Sequence, residues 1–183
     1  NALHIVNNLP KDEKIIFAPD KNLGGYINEQ TGRKMILWDG TCEVHDAIKI
    51  ESILELKRLH PKALVLAHPE CKGQILAIAD FIGSTNAILN YSVSSPEKEF
   101  IVVTESGIIH QMIKKSPGKK FYALSSQNNC NCSECEYMKL NNLEKLKRCL
   151  EAEVPEILLD EETIRRANVP MERMLELSKE LLK

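Results

Sequence analysis

Cys130-Asn131-Cys132-Ser133-Glu134-Cys135 places three thiols within six residues, and a lone Cys42 stands far upstream, just past a short apolar run. A thiolate is a soft ligand suited to zinc or to an iron–sulfur cluster, so a metal centre is the first chemistry these residues point to. As a closed zinc site the set is incomplete, because no second Cys-x-x-Cys and no His-x-x-x-His accompanies it. Nor do three adjacent thiolates suit one iron–sulfur cubane, in which each iron takes a single thiolate from positions spread in space. One ligand from this cluster with distant partners fits that case. A zinc-binding structural or redox module using Cys130, Cys132 and Cys135 is the alternative, and incidental redox-sensitive thiols are the bland reading.

A lone cysteine such as Cys42 is ordinarily a small buried hydrophobe, but His45 close by and its place after a strand draw it towards function. In His68-Pro69-Glu70, residues two apart in extended chain project to one side. His68 then suits a substrate carboxylate and Glu70 a proton transfer, against a competing structural capping role. Gly83-Ser84-Thr85 ends a short strand and opens a helix, where hydroxyls and free N–H groups suit a carboxylate or phosphate; a plain N-cap accounts for it equally well. Asp20-Lys21-Asn22-Leu23-Gly24-Gly25 lacks both the Gly-Lys-Ser/Thr of a phosphate-binding loop and a Gly-x-Gly-x-x-Gly fingerprint, and reads as a tight strand-to-helix turn. Cys149 shares a helix face with Leu143 and Leu146 and reads as a core thiol; Trp38 reads as core or rim packing.

The elements that must position these groups alternate. Short β-rich runs are predicted at 14–18, 34–38, 63–67, 80–82, 100–104 and 120–124, each ending in a polar, turn-prone cluster. Helical patterns are predicted over 22–31, with Gly32 as the stop, and over 48–60, 75–79, 108–115 and 143–150. A tail follows at 161–168 and 171–182, broken at Pro170, with Leu175, Leu177 and Leu181 set to pack on a body. Alternation of this kind defines an α/β protein with parallel sheets covered by helices. Ligands in such sheets sit outside the carboxyl ends of the strands, where the polar clusters lie. Cys42 and Cys135 are separated by about the length of one small α/β unit, which points to repeated domains each offering a cysteine.

At 183 residues the chain is long enough to bury an enzyme-sized core. Its 24 basic and 26 acidic residues are scattered and sum to a formal charge of −2, which gives no electrostatic footprint for nucleic acid and favours a small-molecule partner. No apolar run approaches the roughly 20 residues that span a bilayer. Cysteine usage fits a reducing, cytoplasmic setting. The sequence opens on Asn1 with helix-like apolar spacing already under way, and is read as a fragment lacking its N-terminal part.

The strings Ile15-Ile16-Phe17-Ala18-Pro19-Asp20-Lys21-Asn22-Leu23-Gly24, Trp38-Asp39-Gly40-Thr41-Cys42-Glu43-Val44-His45, His68-Pro69-Glu70-Cys71, Gly83-Ser84-Thr85 and Cys130 to Asn141, in this order and spacing, resemble the quinolinate synthase family. The resemblance covers essentially the whole chain. It implies three-layer α/β/α domains with parallel sheets in a pseudo-threefold repeat, with one 4Fe–4S cluster where the domains meet. Residues 1–41 are then the remainder of a second domain, 42–128 the third, and 129–183 a cluster-ligand loop and C-terminal helices. It further implies condensation of iminoaspartate with dihydroxyacetone phosphate to quinolinate in de novo NAD biosynthesis, with L-aspartate oxidase or aspartate dehydrogenase as supplier. Cys42 and Cys135 carry over as cluster ligands and Cys130 and Cys132 as accessory thiols. His68 and Glu70 take substrate-binding and acid/base positions beside Pro69. Ser84 and Thr85 take carboxylate binding, and His45 joins the substrate-binding set near the cluster. The third ligand falls in the missing N-terminal part, so the piece alone is expected to be inactive. Two departures are the spacing Cys-x-Cys-x-x-Cys, where some members show Cys-x-x-Cys-x-x-Cys, and Glu136, where some have Pro.

Overall fold

The structure, a computed structural model, describes residues 2–124 and 133–179. Its elements in chain order are α1 (Ala2–Asn8), β1 (Ile16–Phe17), α2 (Lys21–Thr31), β2 (Ile36–Leu37), α3 (Glu43–Asp46), α4 (Ile50–Leu59), β3 (Leu64–Ala67), α5 (Gly73–Leu76), β4 (Phe81–Ile82), α6 (Thr85–Ser94), β5 (Glu99–Val103), α7 (Ile108–Lys115), β6 (Lys120–Ala123), α8 (Glu136–Lys139), α9 (Leu143–Ala152) and α10 (Glu161–Leu177). Every strand pair is parallel, as strand–helix alternation requires. β1 and β2 form one small sheet, and the larger sheet runs β4-β3-β5-β6.

The side chains of β3 and β5 alternate between two apolar layers. Val65, Ala67, Ile101 and Val103 pack with Ile53 of α4 and Ile75 of α5. Leu66, Phe100 and Val102 face the other way, against Ile88 and Leu89 of α6 and Met112 of α7. The result is a three-layer α/β/α unit whose central strands are covered on both faces, which is why their sequences read as continuous apolar runs. Apart from Ala67, each such side chain fully buried contributes about 1.5–3 kcal/mol, so these two strands hold much of the unit's stability. A third cluster joins Val6 of α1, Phe17, Ile27 of α2 and Met35 around the small sheet. There α2 approaches so closely that a Cβ on Gly24 would lie 2.6 Å from a Leu37 methyl, which explains a glycine inside the first turns of a helix.

Several sequence expectations are corrected. Asp20 to Gly25 is not a free turn: Asp20 is the N-cap and the rest begins α2. α10 runs through Pro170 without a break. The carbonyl deprived of the proline N–H belongs to Arg166, an exposed residue. Cys149 is exposed rather than in a core, and Leu143, Leu146 and Leu150 on the same helix are 81%, 55% and 75% exposed. A helical apolar stripe announces that a face wants cover, not what supplies it. Trp38 is 63% exposed at the open end of the two-stranded sheet, where no helix layer covers it. Of the tail leucines, Leu175 is exposed; the tail meets the body near Leu177, whose carbonyl accepts a hydrogen bond from the Asn8 side chain at 3.4 Å. Leu181 lies outside the described residues, as do Cys130 and Cys132. Among the described residues no helix is long and apolar enough to cross a membrane.

Truncating the central layer should be costly. Ile101→Ala is expected to destabilise the chain by about 2–5 kcal/mol in urea titrations, while Ile36→Ala, at a 59% exposed position, should cost under about 1 kcal/mol. Equal midpoints for the two variants would contradict the layer assignment.

Candidate functional site

From β3 the chain moves to β4 on one side of the sheet, and from β5 to β6 on the other, so a crevice opens beyond the carboxyl ends of β3 and β5. The parallel register pairs Ala67 with Val103, and the His68 N–H donates to the Val103 carbonyl at 3.1 Å. His68 and Thr104 therefore emerge side by side. The chain then turns sharply, with the Cys71 N–H donating to the His68 carbonyl at 3.0 Å, which places Pro69 and Glu70 on the rim.

His45 reaches this crevice from the one-turn helix α3 and is buried. Its ring stacks on His68 at 4.4 Å between centroids and 12° between planes. Nε2 lies 3.0 Å from the Thr104 hydroxyl, and Nδ1 lies 2.9 Å from Glu70 Oε2. That carboxylate oxygen sits off the line of a ring N–H, so buried Nδ1 has no well-aligned hydrogen-bond partner despite the short distance. Cys42 is the N-cap residue of α3, and its Sγ, a His45 ring nitrogen and a Glu70 oxygen all lie within 4.8 Å of one another. Sulfur, imidazole and carboxylate around one point form a donor set that zinc or iron accepts.

Electrostatics divide the labour among these groups. Burial, reinforced by neighbouring His45, pushes His68 down to about 4. Its Nδ1 accepts from the Glu70 N–H at 3.3 Å, so the ring is neutral at ordinary pH with its proton on Nε2. The contact with His45 holds Glu70 below the usual carboxylate range, with burial opposing. Burial raises the Cys42 thiol and the Glu70 charge adds to that, while α3 backbone N–H groups oppose it. Cys71, wholly buried with Sγ 3.6 Å from the Val103 carbonyl, is pushed up to about 12 and is an inert packing thiol. The rim thus offers an ionised carboxylate, a neutral imidazole donor and a thiol that a metal would deprotonate.

The remaining candidates are not among the three groups that lie within 4.8 Å of one another. Ser84 is the N-cap of α6, its hydroxyl accepting from the Ala87 N–H at 3.2 Å, and Thr85 is half-buried at the first helical position. Cys135 is the half-buried N-cap residue of α8. Its loop is pinned by buried Ser133, whose carbonyl accepts the Ser106 N–H at 2.8 Å and whose hydroxyl donates to the Leu124 carbonyl at 3.1 Å. An open groove of about 850 Å³ beside α9, lined by Leu143, Leu146, Cys149 and Val154 among others, contains none of these groups. Sequence reasoning singled out neither Thr104, which reads merely as a strand end, nor Ser133, nor Asp20 as more than a turn residue. An Asp just before a helical pattern is an N-cap signal; its second partner is a long-range contact that no local pattern carries.

Fold and site together define a parallel α/β protein with a Cys–His–Glu centre at a topological switch point. The profile of the quinolinate synthetase A protein family matches residues 1–176, and the chain belongs to that family. It is 56% identical over 180 residues to the quinolinate synthase of Chloroherpeton thalassium, covering 98% of this chain and 56% of that protein. Against the quinolinate synthase of Synechocystis sp. it is 56% identical over 178 residues, covering 97% of this chain and 56% of the relative. The Microcystis aeruginosa quinolinate synthase shows 53% identity with the same coverage. The chain thus spans little more than half the length of these relatives.

A depressed imidazole pKa has a signed consequence. As pH falls from the ordinary 6.5 towards about 4, the unfolded chain takes up the His68 proton before the folded one does, so this group lowers stability over that window. By NMR, the His68 ring signals should stay flat from about pH 8 to 5.5. A His68 midpoint near the ordinary value would contradict the buried, stacked arrangement.

Proposed function

We propose that the protein carrying this sequence is a quinolinate synthase, condensing iminoaspartate with dihydroxyacetone phosphate in de novo NAD biosynthesis. The observation that carries the reading is the convergence of Cys42, His45, His68 and Glu70 at the switch-point crevice of a chain at least half identical to proteins of that name. In this reading residues 1–41 complete one α/β domain, 42–128 form the next, and 129–183 supply the cysteine loop and C-terminal helices. The rest of the polypeptide contributes the remainder of the active site.

The donor set fits a 4Fe–4S cluster. Two half-buried thiols, Cys42 and Cys135, lie on separate segments of the chain, one thiolate per iron being what such a cluster takes. When bound, the cluster supplies an open iron that acts as a Lewis acid on substrate oxygen. Cys42 and Cys135 would hold it, with the third thiolate from elsewhere in the protein. Glu70, ionised and steadied by His45, accepts and returns protons at the substrate through its carboxylate oxygens. His68 donates its Nε2–H to a substrate oxygen without introducing a charge. The hydroxyls of Ser84 and Thr85, with the free N–H groups opening α6, bind a carboxylate. Pro69 fixes the spacing between His68 and Glu70.

Purified without oxygen, the whole protein should carry about four irons with matching acid-labile sulfide. Cys42→Ser or Cys135→Ser should abolish the cluster. Glu70→Gln should retain it and lower quinolinate formation by about 10²–10⁴-fold. Zinc at one per chain with no sulfide would instead support a module built on Cys130, Cys132 and Cys135, and normal turnover by Glu70→Gln would remove that residue from the reaction.

A further inference from the structure

Asp20 is a carboxylate residue only 2% exposed and far from the rim in sequence, and both its side-chain oxygens accept backbone N–H groups. Its two oxygens do two different jobs. Oδ1 accepts the Leu23 N–H at 2.7 Å and caps α2, an ordinary N-cap bond. Oδ2 accepts the N–H of Cys42 at 2.7 Å, across 22 positions of chain. Around this bond the start of α2 is stitched to the cysteine loop at three more points. The Lys21 N–H donates to the Gly40 carbonyl at 2.8 Å, the Lys21 ammonium meets Asp39 at 2.7 Å, and the Asn22 amide reaches Asp46 at 3.4 Å. The Lys21–Asp39 pair is exposed and contributes little. The Asn22 contact is long. The Asp20–Cys42 bond is the short, charge-assisted one, accepted by a buried residue, and it ends on the backbone of the residue whose thiol faces His45 and Glu70.

We propose that Asp20 is the positioning residue for Cys42: its second oxygen fixes the backbone at the head of α3, and thereby where the thiol points, before any metal arrives. A helix cap needs one oxygen, so the second is free for this task. The inference rests on the reading of Cys42 as a cluster ligand and adds a group to it that acts through that ligand without touching the metal. Groups that orient metal ligands typically govern metal affinity by about 10–100-fold.

The two jobs can be separated. Serine caps a helix about as well as aspartate but has a single side-chain oxygen, so Asp20→Ser should keep the α2 cap and release Cys42. In the anaerobically purified whole protein, Asp20→Ser should lose iron to a ferrous chelator at least about tenfold faster than wild type, with a shifted cluster spectrum, while the melting temperatures of the metal-free proteins stay close. Asp39→Asn, which removes only the exposed ion pair, should leave the release rate unchanged. Asp20→Ser that holds iron as firmly as wild type, with the same spectrum, would overturn the proposal; wild-type protein without iron would instead overturn the cluster reading on which it rests. Hydrogen exchange on the metal-free wild type gives a second measure that needs no variant. The Cys42 amide should be protected well beyond the neighbouring exposed Thr41, and equally fast exchange at both would refute the bond.

Discussion

The parallel pairing of β3 with β5 is the constraint on which the rest of the molecule depends. Four register pairs, Leu64 with Phe100 through Ala67 with Val103, bury both strands on both faces. The same pairs deliver His68 and Thr104 to one edge at the same height. Because the chain leaves these strands towards opposite sides of the sheet, neither the β3–β4 nor the β5–β6 connection crosses the gap above them, and side chains fill it. The apolar alternation that stabilises the unit and the placement of its polar rim are one geometric fact seen from two ends.

Into that gap goes one buried imidazole. His45 touches three groups from two strands: it stacks on His68, meets the Thr104 hydroxyl and abuts the Glu70 carboxylate. A histidine so enclosed is a poor substrate contact in its own right, being only 7% exposed, and a good brace for Glu70. Burial first and His45 second hold His68 neutral, while the contact with His45 holds Glu70 ionised, so the two neighbours are pushed apart in acidity. An open, water-filled rim would leave both near their ordinary values.

Much of the fold is legible in the sequence because it is local. β-rich runs separated by helical patterns determine a parallel α/β sheet, and Gly32, with φ of 68°, stops α2 where a residue lacking a Cβ is needed. Cys42, His68 and Glu70 could be singled out for a similar reason: each lies in the turn-prone cluster just past a strand, and strand ends are where such sheets bind. The rest depends on contacts between distant segments. Nothing local distinguishes Thr104 from any strand-end threonine, or tells that Asp20 bonds a residue 22 positions on. Cys149 and Leu143 form a regular apolar stripe, yet the stripe is exposed among the described residues, since periodicity records a need for burial and not the surface that meets it.

The proposed metal site is Cys42, beside His45 and Glu70 at the β3–β5 edge. Anomalous diffraction from anaerobically grown crystals of the whole protein, recorded at both the iron and zinc absorption edges, tests it most directly. The account predicts iron-edge density within about 2.3 Å of the Cys42 sulfur, with the Glu70 carboxylate facing it. Iron density remote from Cys42, or zinc-edge density confined to the segment of Cys130, Cys132 and Cys135, would contradict it.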